Sequence, residues 1–249
     1  MNNFNCSTLL AGGEYHTLSV EAPAVPAEEL KTAVRWRLKD LLDFPVDKAT
    51  IDVLDIPSST GARGHQLFAV AAHNSMIEKR QNLFVDARIR MRTIDIPEMA
   101  QRNISALLEP QGRGLAMVSF SHDGGLLTVS FEGELYLSRR IDVTLDQLRD
   151  ADADRKQICF DKITLELQRS LDHFDRQYNY VSVAKLVVAP TGAPGFVDFL
   201  STNLYMPVES LDLHSVLDMS AVPQLENPLE QQRFFMALGA ALRDEEQPA

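Results

Sequence analysis

The sequence predicts an α/β fold with mixed sheets arranged in two lobes. Three observations lead there. Helical stretches with one apolar face alternate with short β-type runs over most of the chain. From Gly114 the texture changes, and three strands follow one another through short glycine turns. Between these regions, residues 109–113 read Glu-Pro-Gln-Gly-Arg, the composition of a linker. The expected division is a first lobe over 1–108, with a small α/β insert at about 27–93, and a second lobe over 109–249.

Each element has its own signal. "EYHTLSVEA" alternates in polarity and reads as a strand. Pro26, followed by Glu28 and Glu29, opens a helix, since proline needs no donor there and acids suit the positive helix end. Leu30, Val34, Leu38 and Leu41 share its apolar face, Trp36 lies toward the edge, and Pro45 is the expected stop. "ATIDVLDI" and "QLFAVAA" read as strands joined by a Ser/Gly-rich turn from Pro57 to Gly64. A helix from about Ser75 to Ala87, with Ser75 as N-cap, precedes the strand "IRMRTIDI" and a helix from Pro97 to Leu108.

The runs "LAMVSF", "LLTVSF" and "ELYLSRRID" form a β-meander, with Gly133 as a hairpin signal. A long helix from about Asp154 to Tyr178 carries Ile163, Leu167, Leu171, Phe174 and Tyr178 on one face. "VAKLVVAP" reads as a buried strand, "TGAPGFVDFLSTNL" as a turn into a helix, and "MPVESLDL" as another strand. "NPLEQQRFFMALGAALR" closes as a helix before the acidic tail "DEEQPA".

Composition narrows the function classes. The 249 residues are 45% hydrophobic, enough for a sizeable core, and carry a net charge of -11. Such a chain repels phosphate backbones, which argues against nucleic acid as a partner. The densest basic stretch, Lys79, Arg80, Arg88, Arg90 and Arg92, contains Glu78 and Asp86 and reads as a solvated helix and strand. Cys6 and Cys159 form no CxxC pair, as suits a reducing compartment. No apolar run is long enough for a membrane span.

The ordered segments "ELKTAVRWRLKDLLDFPVDKATIDVLDI", "LFAVAAHNSMIEKRQNLF", "RTIDIPEMAQRNISALLE", "LELQRSLDHFDRQY" and "FMALGAALR" resemble the PilM family of type IV pilus assembly proteins. Within it they look like the MshI-like branch of mannose-sensitive haemagglutinin pilus biogenesis. The resemblance covers about residues 7 to 243. It implies the actin-like (ribonuclease H-like) fold of the actin-like ATPase superfamily. It also implies a cytoplasmic protein peripheral to the inner membrane, recruiting a membrane-anchored assembly protein through that partner's short cytoplasmic tail. One departure is expected to matter: the N-terminal strand pair of the first lobe, with its Asp-Ile-Gly-Ser type loop, is partly or wholly missing here.

Actin-like ATPases hold phosphates on two hairpin loops, which need glycine for close backbone approach and a carboxylate for Mg²⁺. The first Asp in this chain is Asp40, so the first loop cannot be built from the residues before it. The second loop falls at "MVSFSHDGGLLTV", where the resemblance calls for an Asp followed by Ile-Gly and Ser119-Phe120 stand instead. The candidates for cofactor binding are therefore Ser121, Asp123, Gly124 and Gly125, with Gly192 and Gly195 in "VVAPTGAPGF" near a helix start. Against that, Gly124-Gly125 suit a plain hairpin, and Gly192 and Gly195 an ordinary strand-to-helix connection. Glu166, Arg169 and His173 would border a nucleotide cleft in this fold, and otherwise form a solvated face.

Ser121-His122-Asp123 holds triad residue types, but neighbours on one turn cannot adopt triad geometry. The histidines are too dispersed for a zinc site. The expectation is a non-catalytic scaffold without cofactor or metal, the alternative an ATP-binding protein whose nucleotide state switches partner binding. The strand "EYHTLSVEA" is an expected open edge, paired by a partner, a second copy or the absent segment.

Overall fold

In the computed structural model the described residues are 6–57 and 65–243. The turn expected up to Gly64, apart from Pro57, and the acidic tail lie outside them. Packing divides the chain into one unit over Met1–Ile96 and a second over Pro97–Ala249.

The first unit comprises β1 (Cys6–Leu9), β2 (Tyr15–Glu21), α1 (Ala27–Leu38), β3 (Ala49–Asp55), β4 (Gln66–His73), α2 (Asn74–Asp86) and β5 (Met91–Asp95). β1 pairs in parallel with β5, and β4 is the centre of an antiparallel β2-β4-β3 sheet. The alternation read in the strands puts Val20, Leu67, Ala69, Ala71 and Ile51 on one face, where Val34 and Leu38 of α1 are fully buried among them. Each such large side chain contributes about 1.5–3 kcal/mol relative to an exposed one.

α1 stops at Leu38, well before Pro45. The N–H groups of Leu41 and Leu42 both bond the Leu38 carbonyl, and the chain turns so that Leu42, Phe44 and Val46 reach the same core. Leu41 is consequently 55% exposed rather than on the buried face, and Trp36 is 70% exposed. The N-cap of α2 is His73, not Ser75: His73 keeps the extended backbone of β4, and its ring nitrogen accepts from the Ser75 N–H at 3.2 Å.

The helix ends in a Schellman arrangement. The Ile89 N–H bonds Phe84 O and the Arg88 N–H bonds Val85 O, with Arg88 at φ 55° where glycine is the favoured residue. On the approach to β2, Glu14 accepts from the Ala11 N–H at 2.7 Å and from Arg80 at 2.6 Å. Burial alone would raise the Glu14 pKa. These two hydrogen bonds and the charges of Arg80 and Lys79 outweigh it and hold the carboxyl below its usual range.

The second unit comprises α3 (Pro97–Ala106), β6 (Gly114–Ser121), β7 (Gly124–Phe131), β8 (Glu134–Ile141), α4 (Leu145–Leu148), α5 (Ala153–Gln177), β9 (Val183–Val188), α6 (Phe196–Asn203), β10 (Val208–Ser210) and α7 (Pro228–Ala241). Its sheet runs β10-β9-β6-β7-β8, parallel through β10, β9 and β6 and antiparallel through the meander β6-β7-β8. At the second hairpin Glu132 and Gly133 both have positive φ, 53° and 76°, the type I′ geometry that matches strand twist.

Residues 114–120 of β6 are all buried, as in a strand covered on both faces. Leu115 and Met117 join Ile104 of α3 and Phe235 of α7 in one apolar cluster. Phe120 packs instead on Phe196 of α6, which meets Phe160 of α5. The expected stripe on α5 is buried, including Ile163, Leu167, Leu171 and Phe174. α3 buries seven of its ten residues, four of them polar. It crosses α7 so closely that a Cβ on Gly239 would lie 2.1 Å from the Ala100 carbonyl oxygen.

Candidate functional site

Parallel strands in an open α/β sheet leave a crevice beyond their carboxyl ends, the usual place for ligands. Here the carboxyl ends of β6, β9 and β10 open on two neighbouring hollows, both within the second unit. One, of about 410 Å³, is lined by Ser121, His122, Asp146, Pro190, Gln232 and Arg233 among others. The next, of about 500 Å³, includes Pro190, Thr191, Gly192, Asp212, His214 and Glu226. Of the six residues singled out from the sequence, Ser121 lines the first hollow and Gly192 the second; Asp123, Gly124 and Gly125 follow Ser121 along the β6–β7 hairpin, and Gly195 follows Gly192 into α6.

At the β6–β7 turn, His122 and Asp123 are the two loop residues, since Ser121 pairs with Gly124. The Ser121 hydroxyl accepts from the Asp123 N–H at 3.1 Å and lies 3.3 Å from the Gly124 carbonyl. His122 is exposed and sits 3.2 Å from the Asp123 carboxylate. The two glycines have different reasons. Gly124 has φ 122°, which L side chains rarely adopt, and a Cβ there would meet the Ile141 carbonyl at 2.9 Å. Gly125 lies within β7, and its missing Cβ is the space taken by the Phe120 ring, 2.7 Å from where that atom would be.

Phe120 is 4% exposed, with its ring edge-on to Phe196 at 5.6 Å between centroids. The side chain standing where a phosphate loop needs open backbone is therefore a packed aromatic. Ser119, at the place of the strand-end acid, points to the opposite face, where its hydroxyl donates to Gln101 Oε1. That buried network was not legible beforehand: a glutamine inside an amphipathic helix carries no signal of burial. Ser119 is thus turned inward, and the Phe120 ring lies over Gly125.

The β9–α6 connection is held differently. Gly192 (φ 63°) and Gly195 (φ 78°) both adopt left-handed backbone, and Gly195 is the N-cap residue of α6 without a side-chain cap bond. Arg149 lies alongside: its Nε donates to the Thr191 carbonyl, and its Nη2 lies 3.0 Å from where a Gly192 Cβ would be. That Nη2 is buried and has no hydrogen-bond partner. Sequence reading missed Arg149, which stands after α4 and far from the glycine turn in the chain.

On α5, Glu166 and Arg169 form an ordinary surface pair at 3.4 Å. Among the described residues, no group of three His, Cys, Asp or Glu is placed to hold a metal ion. Among the same residues, no helix is long and apolar enough to cross a membrane.

No family model matches the chain, and no curated protein matches it. A solved PilM-PilN type IV pilus biogenesis complex is similar over 95% of this chain and 78% of its own, with TM-score 0.75 and 18% identity. The chain has the actin-like fold. A Bacteroides thetaiotaomicron VPI-5482 protein with an actin-like ATPase fold and unknown function also matches. It does so at TM-score 0.48 and 7% identity, over 90% of this chain and 74% of that one. The cytoplasmic domain of EpsL, an inner-membrane component of the Vibrio cholerae type II secretion system, matches at TM-score 0.43 and 14% identity, over 74% of this chain and 60% of that one.

Proposed function

We propose that this chain is a non-catalytic scaffold of type IV pilus biogenesis, of the MSHA type. It works at the cytoplasmic face of the inner membrane and recruits a membrane-anchored assembly protein through that partner's short cytoplasmic tail. The observation that carries the non-catalytic half is the filled β6–β7 turn: Phe120 occupies the slot over Gly125, and Ser119 is turned into the Gln101 network. The pilus half draws its support from the likeness to the PilM-PilN complex over nearly the whole chain.

The docking place proposed for the tail is the outer edge of β2. Among the described residues β2 pairs only with β4, so its other edge presents backbone groups to an added strand. Synthetic peptides matching the cytoplasmic tails of inner-membrane proteins encoded beside this chain provide the test. Amide exchange over 15–21 should slow when the right tail is added. Exchange left unchanged by every tail sinks the edge as the docking place.

A second reading has its own observation: the unpartnered Arg149 Nη2 beside the Gly192 turn is the kind of group an anion would satisfy. On this reading nucleotide binds and switches partner affinity. Thermal melting with and without millimolar Mg-ATP separates the two, because a ligand bound only by the native state must raise stability. The scaffold reading expects no shift. A shift of several degrees that disappears in Arg149→Gln would establish the nucleotide reading instead.

A further inference from the structure

We propose that the corner formed by the last turn of α2 and the residues leading into β5 docks directly on the anionic surface of a phospholipid bilayer. The starting point is a contrast in charge. The chain as a whole carries -11, yet residues 78–92 hold five basic residues against two acidic ones, Glu78 and Asp86.

The structure shows which of these cations are available. Arg80 is held by Glu14 at 2.6 Å and is not. Arg88 and Arg90 are exposed, and neither makes an ion pair among the described residues. Between and beside them the apolar side chains are not covered. α2 has no buried residue, and Leu83 and Val85, in its last turn, are 60% and 69% exposed.

Exposed aliphatic groups next to cations are the chemistry of an interfacial contact. Arginines meet lipid phosphates while short apolar side chains enter the headgroup boundary. The corner is small, so it adds a second attachment to one made through a partner rather than replacing it. Nucleic acid is disfavoured because no exposed aromatic ring accompanies the cations for base stacking, Phe84 being half-buried.

Position 88 supplies a further reason. Its backbone is left-handed, φ 55°, where glycine is the favoured residue, and an arginine stands there. A cation at a helix C-terminus is electrostatically sensible, and here it stands in a run of exposed residues, 85–88.

The experiment uses the full chain and sedimentation with vesicles of phosphatidylglycerol and phosphatidylethanolamine, against vesicles of phosphatidylcholine alone. Binding to the acidic vesicles only, released by 0.5 M salt, is the expected result. Arg88→Gly should weaken it about fivefold, and Arg88→Gly with Arg90→Gln about 25-fold. Because glycine relieves the backbone at 88, Arg88→Gly should melt no lower than the parent, so its weaker binding is not unfolding. Leu83→Ser with Val85→Ser should weaken binding while leaving its salt dependence in place.

Equal binding to both vesicle types, no binding to the acidic ones, or binding untouched by these variants overturns the proposal. So does capture of a polyglutamate peptide or an oligonucleotide by a chain that ignores acidic vesicles. No partner tail is present in this experiment, so its failure leaves the scaffold role standing, and failure of tail binding leaves the vesicle result standing.

Discussion

Gln101 has no exposed surface and four hydrogen-bond partners. Its amide nitrogen lies 2.9 Å from Met117 O and Thr128 Oγ1 and 3.2 Å from Leu126 O, while its oxygen accepts from Ser119. An unsatisfied buried acceptor costs more than a hydrogen bond returns, so the network matters mainly by what its loss would strand. Gln101→Leu, similar in volume, should lower unfolding free energy by about 2–3 kcal/mol with an unchanged denaturant m-value. A loss under about 0.5 kcal/mol would show that the strands reorganise around the change. At this scale the sequence was a partial guide. Gly125 read as a turn residue and is a slot for the Phe120 ring, which is buried there. Contacts of that kind join residues whose proximity depends on strand register, which a linear pattern does not show.

Helix α3 touches β6, β7, β8 and α7, and its closest approach is the crossing at Ala100 and Gly239. Asn103 reinforces it by donating to the Gly239 carbonyl at 2.9 Å. A methyl at Gly239 would have to displace helix backbone rather than a flexible side chain. Gly239→Ala should therefore destabilise by about 3 kcal/mol despite alanine's better helix propensity, measured by equilibrium urea unfolding. A stabilised Gly239→Ala protein would mean that the two helices are not packed this closely. Most elements were legible because their periodicity was strong: the α5 stripe and the meander fell where apolar spacing put them. Ends were less so. Pro45 seemed the obvious stop for α1, but the helix ends at Leu38 because Leu42, Phe44 and Val46 gain burial by leaving it.

Across the whole molecule, shifted groups answer to both ends of the pH range. In the second unit, burial and then the neighbouring Tyr180 push the hydroxyls of Tyr136 and Tyr178 up to about 12. A tyrosine whose folded pKa is raised stabilises the fold fully below the unfolded value near 10, and that contribution is lost as pH rises through about 12. Stability should thus fall across that window, and absorbance titration at about 295 nm should show Tyr136 and Tyr178 ionising above the usual tyrosine range. In the first unit Glu14 is depressed, so its contribution is present above the unfolded value and is lost on acidification through the folded one. Fold class was legible at this scale because alternating elements leave few architectures. The crevice was legible only as two glycine turns, since Arg149 and Gln101 reach those turns from other parts of the chain.

The bond from Asn103 to Gly239 spans 136 residues, and that distance sets an order of events during synthesis. The first unit has all its elements once residue 96 has emerged, while the second lacks α7 until residue 241. At about 5–20 residues per second, roughly 7 to 30 s separate the two moments. From the emergence of Met117 until that of α7, Ile104, Leu115 and Met117 wait without Phe235, so a nascent chain shows a chaperone an apolar surface that α7 later covers.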